Sequence, residues 1–267
     1  MSPDDASLTG LRVLVTRPAD QQAGFVRLLE AHGATPLSLP LLEIHTAHGS
    51  ADAIARFKRN TPYDLAVFVS PNAVRHAHAL APMPWPTSIA RQLVAVGDAT
   101  DAALNSLGRA ADIRPAAQFS SEALLAEPAL QNVAGQRVAV FCGDKGRKTL
   151  RDTLASRGAS VDELIVYESH VPNYPPGYVC EQLRQSKPDV ICLTSNQGVE
   201  NLLNLTDNPC REWLLQTPLI VNSGRCSTLA SQKGFRATIV VAGTPGDQGQ
   251  LEGLLQWYTN SHVNHSE

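Results

Sequence analysis

The chain repeats itself, and the repeat constrains its fold more than any single motif does. Shifted by 125 positions, residues 11–45 lie on 136–170 without a gap, and nine of the 35 pairs are identical. Arg12, Val13 and Val15 fall on Arg137, Val138 and Val140, and Gly33-Ala34 falls on Gly158-Ala159. Leu39, Glu43 and His45 fall on Leu164, Glu168 and His170. The same shift puts Asp64 on Asp189, Ser70 on Ser195 and Val74 on Val199, and a shift of 127 puts Gly97 on Gly224 and Thr100 on Ser227. Any two strand–helix units look somewhat alike, because strands are apolar and helices end in glycine. A constant shift across several elements points instead to one duplicated unit and two similar lobes. A length of 267 residues fits two domains of ordinary size.

Local patterns agree. Leu11-Arg12-Val13-Leu14-Val15 reads as a buried strand. Thr16-Arg17-Pro18 ends it, with Pro18 suited to the first turn of a helix and Thr16 to a cap. Phe25, Leu28, Leu29 and His32 follow on helical spacing, Gly33 stops the helix, and Pro36–Leu41 is a second extended segment. The alternation continues through strand-like Asp64–Val69, a helix from Ala73 to about Leu80, a loop with Pro82, Pro84 and Pro86, strand-like Leu93–Val96, and a helix ending at Gly108. It restarts after Gly135. This predicts α/β lobes with mostly parallel sheets, helices on both faces, and ligands at the carboxyl ends of strands.

The turns at those ends are Thr16-Arg17-Pro18, Ser70-Pro71-Asn72, Gly97-Asp98-Ala99-Thr100, Gly143-Asp144-Lys145-Gly146-Arg147, Ser195-Asn196-Gln197-Gly198 and Gly224-Arg225-Cys226-Ser227. Each places small or hydroxyl residues where a helix exposes unpaired N–H groups, which suits carboxylates or phosphates. One such turn is merely a helix cap; two matched sets suggest a multi-point anion site. The net charge of -3 predicts no large basic surface for nucleic acid, yet it leaves room for an anionic small molecule held by backbone groups.

Other classes are excluded by what the chain lacks. Cys142, Cys180, Cys192, Cys210 and Cys226 are odd in number and show no CxxC spacing, so neither a disulfide framework nor a zinc site is expected. Met1 to Gly10 has no apolar core of the signal-peptide kind, and runs such as Leu65–Val69 are far short of a membrane span. A reducing cytoplasm is the expected compartment. GxSxG, HExxH, GxGxxG and GxxxxGK[ST] are all missing. His76 and His78 are two apart on a helix and face different ways.

With these residues in view, the chain resembles the uroporphyrinogen-III synthase family over nearly its whole length, Leu11 to about Tyr258. The resemblance rests on Val15-Thr16-Arg17-Pro18, Phe68-Val69-Ser70-Pro71-Asn72-Ala73-Val74, Val94-Ala95-Val96-Gly97 with Thr100, Ser121-Glu122-Ala123-Leu124-Leu125, Gly143-x-x-Gly146-Arg147 with Leu150, and Val166-Tyr167-Glu168. Order and spacing together make it specific. The chain departs from the family pattern at Cys142, at Asn196 and at Gly224-Arg225-Cys226-Ser227.

The resemblance implies two α/β lobes joined by a two-stranded β ladder: residues 1–39 plus 172–267, residues 45–166, and connectors 40–44 and 167–171, with the site in the cleft. It implies an enzyme without cofactor or metal that cyclises hydroxymethylbilane, a linear tetrapyrrole with eight carboxylates. The terminal hydroxyl leaves to give an azafulvene cation, the substituted carbon of the last ring attacks, and the spiro intermediate fragments and recloses with that ring inverted. Tyr167 is implied as donor to the leaving hydroxyl. Substrate contacts are implied at Thr16, Arg17, Ser70, Asn72, Gly97, Thr100, Gly146, Arg147, Ser195, Gly224 and Ser227, with Lys145 a further candidate cation. The expected partners are the substrate and hydroxymethylbilane synthase handing it over; the expected state is a cytoplasmic monomer, with no nucleic acid and no membrane. Two alternatives stay open: a two-lobed small-anion binding protein without chemistry, and a two-lobed glycosyltransferase.

Overall fold

A computed structural model of the chain describes residues 7–59, 62–82, 90–116, 120–146, 148–244 and 246–263. They form two compact units, with the chain passing from the first to the second between Glu43 and Ile44 and back between Ser169 and His170. The chain begins in the first unit with β1 (Arg12–Val15), α1 (Ala23–Ala31) and β2 (Thr35–Ser38). It continues through β3 (Glu43–Thr46), α2 (Ser50–Arg59), β4 (Tyr63–Phe68), α3 (Pro71–Leu80), β5 (Ala90–Ala95), α4 (Asp98–Ser106), α5 (Ser121–Ala126), α6 (Pro128–Gln131), β6 (Arg137–Gly143), α7 (Thr149–Ser156) and β7 (Ser160–His170). It then completes the first unit with α8 (Tyr178–Ser186), β8 (Val190–Leu193), α9 (Asn196–Asn204), α10 (Asn208–Leu214), β9 (Leu219–Val221), α11 (Gly224–Gln232), β10 (Ile239–Val241) and α12 (Asp247–Val263).

The two sheets share one topology. The first runs β2-β1-β8-β9-β10 and the second β3-β7-β6-β4-β5, and at the β5 edge Ile113 makes a parallel bridge to Val94. The pairs β1–β2, β1–β8, β8–β9 and β9–β10 are parallel, as are β6–β7, β4–β6 and β4–β5. The order β2-β1-β8-β9-β10 thus recurs as β7-β6-β4-β5-Ile113, and the repeat in the sequence becomes a repeat in space.

The identical residues turn out to be folding devices. Asp64 Oδ2 accepts the Arg137 N–H at 2.9 Å, and Asp189 Oδ2 accepts the Arg12 N–H at 2.8 Å. Each aspartate thereby pins the start of the neighbouring strand. Ser70 and Ser195 cap their helices through bonds from the Ala73 and Gly198 N–H groups, both 3.1 Å. Gly33 and Gly158 follow α1 and α7 with φ of +80° and +86°, a backbone region where side chains are disfavoured.

Both faces of each sheet are covered, so the central strands are apolar beyond the charged residues near their starts, as in β8, where all four residues are buried. In the second unit Phe57 stacks on Tyr63 at 5.1 Å and Phe68 on Phe141 at 4.6 Å. In the first, Phe25, Leu29, Leu251 and Leu254 cover Val13 and Val15, while Leu14, Leu193 and Val221 pack on the other face. Each such side chain contributes about 1.5–3 kcal/mol on burial.

The start of α1 differs from expectation. Pro18 precedes a single 3-10 turn, Ala19–Gln21, and the α-helix starts only at Ala23. Thr16 is not its cap: the hydroxyl donates to the Cys192 carbonyl at 2.7 Å, which fastens β1 to β8. Of the expected proline loop, Pro84 and Pro86 lie outside the described residues.

Candidate active site

In the second unit β4 leads to β5 in one direction across the sheet, and β6 leads to β7 in the other. The crevice of such a sheet opens where the direction switches, at the carboxyl ends of β4 and β6. Ser70 follows β4 there. Its backbone is extended, Pro71 occupies the first helical position, and Oγ accepts the Ala73 N–H. Tyr167, on β7, places Oη 3.1 Å from Ser70 Oγ.

The strand register explains why the tyrosine reaches this point. Between Cys142 and Gly143 the β6–β7 register shifts, so that Gly143 faces Tyr167. A Cβ on Gly143 would lie 2.5 Å from Cε2 and Cζ of the ring. The turn is then tied to β7: the Asp144 N–H donates to the Tyr167 carbonyl at 3.1 Å, Asp144 Oδ1 accepts the Ser169 N–H at 3.0 Å, and the Lys145 ammonium donates to the Ser169 carbonyl. His76 of α3 packs against the phenol with ring centroids 5.8 Å apart. Burial raises the Tyr167 pKa above the ordinary phenol value, and the Ser70 hydrogen bond opposes that rise. The hydroxyl is therefore protonated at neutral pH and able to donate.

A cavity of about 220 Å³ opens beside the ring, lined by Tyr167, Cys142, Gly146, Ser121, Arg151 and Glu163 among others. Arg151 is committed to Asp152 at 2.7 Å and Glu163 at 3.3 Å. Burial pushes the Cys142 thiol up to about 12, so it is an uncharged wall.

The remaining expected residues of this unit sit at neighbouring strand ends. Asn72 Oδ1 accepts from Arg75 at 2.9 Å. Gly97 is buried at the start of α4 with φ 176°, and buried Thr100 donates its N–H to the Gly97 carbonyl at 3.0 Å. Gly146 is exposed and donates its N–H to the Gly143 carbonyl at 3.2 Å. Arg147 lies outside the described residues.

In the first unit, at the corresponding switch between β1 and β8, Arg17 is held by the unit's own side chains. The Arg17 side chain is 11% exposed, pairs with Asp247, donates to Gln250 Oε1 at 2.6 Å and lies 4.8 Å from the Phe25 ring centre. Ser195 caps α9. The cap of α11 is Ser223, which accepts the Cys226 N–H at 3.3 Å, rather than the Gly224–Ser227 turn expected from sequence. Gly224 opens that helix, and the Ser227 N–H is already bonded to the Ser223 carbonyl at 3.1 Å.

Sequence reasoning weighed His76 only as half of a pair with His78 and Asp144 only as a member of a turn, and it passed over Glu163. The signal that would have found them is their closeness to Gly143 and Tyr167 in the folded register, which spacing alone does not carry. It also missed Cys180, Asp207 and Cys210, whose ligand atoms lie within 4.8 Å of one another in the first unit. Asp207 is there the cap of α10, and burial pushes the Cys210 thiol up to about 12.

Fold and site together define a class: duplicated, doubly wound α/β proteins with polar groups gathered at the carboxyl ends of their strands. Within it the relatives are specific. A family model described as uroporphyrinogen-III synthase HemD matches residues 23–251. The uroporphyrinogen-III synthase of Salmonella typhimurium is 32% identical over 249 residues, covering 91% of this chain and all of the relative, and that of Escherichia coli is 28% identical over 248 residues with the same coverage. The crystal structure of a mutant uroporphyrinogen III synthase from Thermus thermophilus superposes with a TM-score of 0.63 at 19% identity, covering 96% of this chain and all of that one. A Helicobacter pylori uroporphyrinogen-III synthetase gives 0.56 at 14% identity, covering 92% and 99%. The chain belongs to the uroporphyrinogen-III synthase family.

Proposed function

We propose that this chain closes hydroxymethylbilane to uroporphyrinogen III, with loss of water and inversion of the last pyrrole ring, in tetrapyrrole biosynthesis. The observation that carries the reading is the match of residues 23–251 to the family. The chemistry is that of a lyase. A proton reaches the terminal hydroxyl, the C–O bond breaks with its electron pair leaving on water, and the resulting azafulvene cation is attacked by the substituted carbon of the last ring. Because closure without inversion occurs spontaneously, the protein's task is to hold the chain in the shape that favours one closure.

Tyr167 is our candidate for the proton donor. Its phenol is protonated, beside a cavity and at the switch point of its sheet. Backbone donors of the turns at Ser70, Asn72 and Gly97, with Arg147, are proposed to take substrate carboxylates, and the turns at Ser195 and Gly224 of the first unit to take others; the N–H groups of Thr100, Gly146 and Ser227 are engaged within their own turns and shape them. For Thr16 and Arg17 the contacts to Cys192, Asp247 and Gln250 support a part in holding the first unit together.

No helix among the described residues is long and apolar enough to cross a membrane. All five cysteines are free, which suits a reducing compartment. We infer a monomer in the cytoplasm that receives its substrate from hydroxymethylbilane synthase, since a bilane that closes by itself is best passed on quickly. The test of the activity is to add the protein to freshly made hydroxymethylbilane and resolve the product isomers. Isomer III is expected; isomer I alone, as without protein, would exclude the reading.

A further inference from the structure

We propose that Ser70 acts on the reaction through Tyr167, as a positioning residue that leaves the phenol's proton free for the substrate. This rests on the reading of Tyr167 as proton donor. Ser70 Oγ has two partners, the Ala73 N–H at 3.1 Å and Tyr167 Oη at 3.1 Å. A serine hydroxyl and a phenol each have one proton, so the contact between them has two senses. Were Tyr167 the donor, its only proton would be held inside the protein. With Ser70 as donor, the phenol oxygen accepts and its own O–H stays available.

Two features favour the second sense. The Ala73 N–H occupies one lone pair of Ser70 Oγ, and a hydroxyl that accepts a bond becomes a better donor and a poorer second acceptor. Ser70 also stands at the N-terminus of the ten-residue α3, whose positive end favours negative charge growing on the phenol oxygen. As the proton leaves, the Ser70–Tyr167 bond becomes charge-assisted and stronger, so it contributes most in the transition state.

The duplicate serves as an internal control. Ser195 makes the matching cap, with the Gly198 N–H at 3.1 Å, but the residue that matches Tyr167 under the 125-residue shift is Leu42. The cap alone therefore does not call for a phenol, and the second bond is particular to Ser70.

The test is a double-mutant cycle with kcat, KM and isomer composition as readouts. Ser70→Ala should lower kcat about tenfold with little change in KM, a loss of the size one bond to a charged group supplies. In the Tyr167→Phe background the same substitution should change kcat less than about twofold. Ser70→Asp keeps the helix cap but brings no proton at neutral pH. It should melt like the unaltered protein and still be as slow as Ser70→Ala, whereas Ser70→Thr keeps cap and proton and should retain the rate. An equal fold-loss from Ser70→Ala in both backgrounds, or full rate in Ser70→Asp, overturns the proposal while leaving Tyr167 its role. Full rate in Tyr167→Phe removes the donor reading itself, and the proposal with it.

Discussion

Gly143 and Tyr167 are fitted to each other: the glycine's missing side chain is the space the phenol ring occupies, and an added Cβ would come within 2.5 Å of two ring atoms. Gly143 is not among the glycines of positive φ, so its requirement is for room rather than for an unusual backbone conformation. That requirement comes from the register shift after Cys142, which brings Gly143 opposite Tyr167.

Gly143→Ala is therefore expected to push the ring off Ser70. The rate should fall about as far as in Tyr167→Phe, with a loss of about 1–3 kcal/mol in stability from overpacking. Steady-state turnover and a denaturant titration measure the two effects. An unchanged rate would mean that the phenol's position is immaterial to the reaction.

How much of this was legible beforehand follows from which links are local. The caps at Ser70 and Ser195, the glycines after α1 and α7, and the parallel α/β class are properties of short segments, and the repeat displays them twice. The cap at Ser223, one residue before the turn singled out in the sequence, differs because serine at 223 and glycine at 224 are both acceptable helix starts. The closeness of His76, Gly143 and Tyr167 was not legible, because it depends on a shift of register between two strands that pair across more than twenty residues. The ties of Arg17 were hidden for a similar reason: its partners, Asp247 and Gln250, lie more than two hundred positions away.

Arg17 separates a structural role from a binding one. Its guanidinium is nearly enclosed and Gln250 is fully buried. Arg17→Leu leaves Asp247 and Gln250 without their partner and is expected to cost about 2 kcal/mol or more. A raised KM with unchanged unfolding free energy would show instead that the cation meets the substrate.

Asp189 links the fold to pH. Partial burial alone would raise its carboxyl, but hydrogen bonds from the Arg12 side chain and backbone outweigh this and hold it below the usual carboxylate value. A lowered folded-state pKa stabilises above the unfolded value of about 3.9 and ceases to do so as pH falls through the folded value. Asp189→Asn should thus lower the melting temperature at neutral pH, and its difference from the unaltered protein should shrink below about pH 4. A difference that stays constant down to about pH 2 would contradict this.

Chelators are expected to leave turnover unchanged. Among the described residues the convergent group Cys180, Asp207 and Cys210 has its carboxylate employed as a helix cap and a thiol held protonated by burial. Activity lost with a chelator and restored by one divalent ion would reverse this expectation.

The central claim is that Tyr167 supplies the proton while the rest of the protein controls the shape of the bilane. Proton donation of this kind is typically worth about 10²–10⁴-fold in rate. Azafulvene formation also proceeds without a donor, so the reaction should survive its loss. The most direct measurement is the rate and isomer composition of the product formed by Tyr167→Phe, with circular dichroism confirming the fold. Slow turnover that still yields isomer III is the predicted result; full rate would make Tyr167 a packing residue and contradict the account.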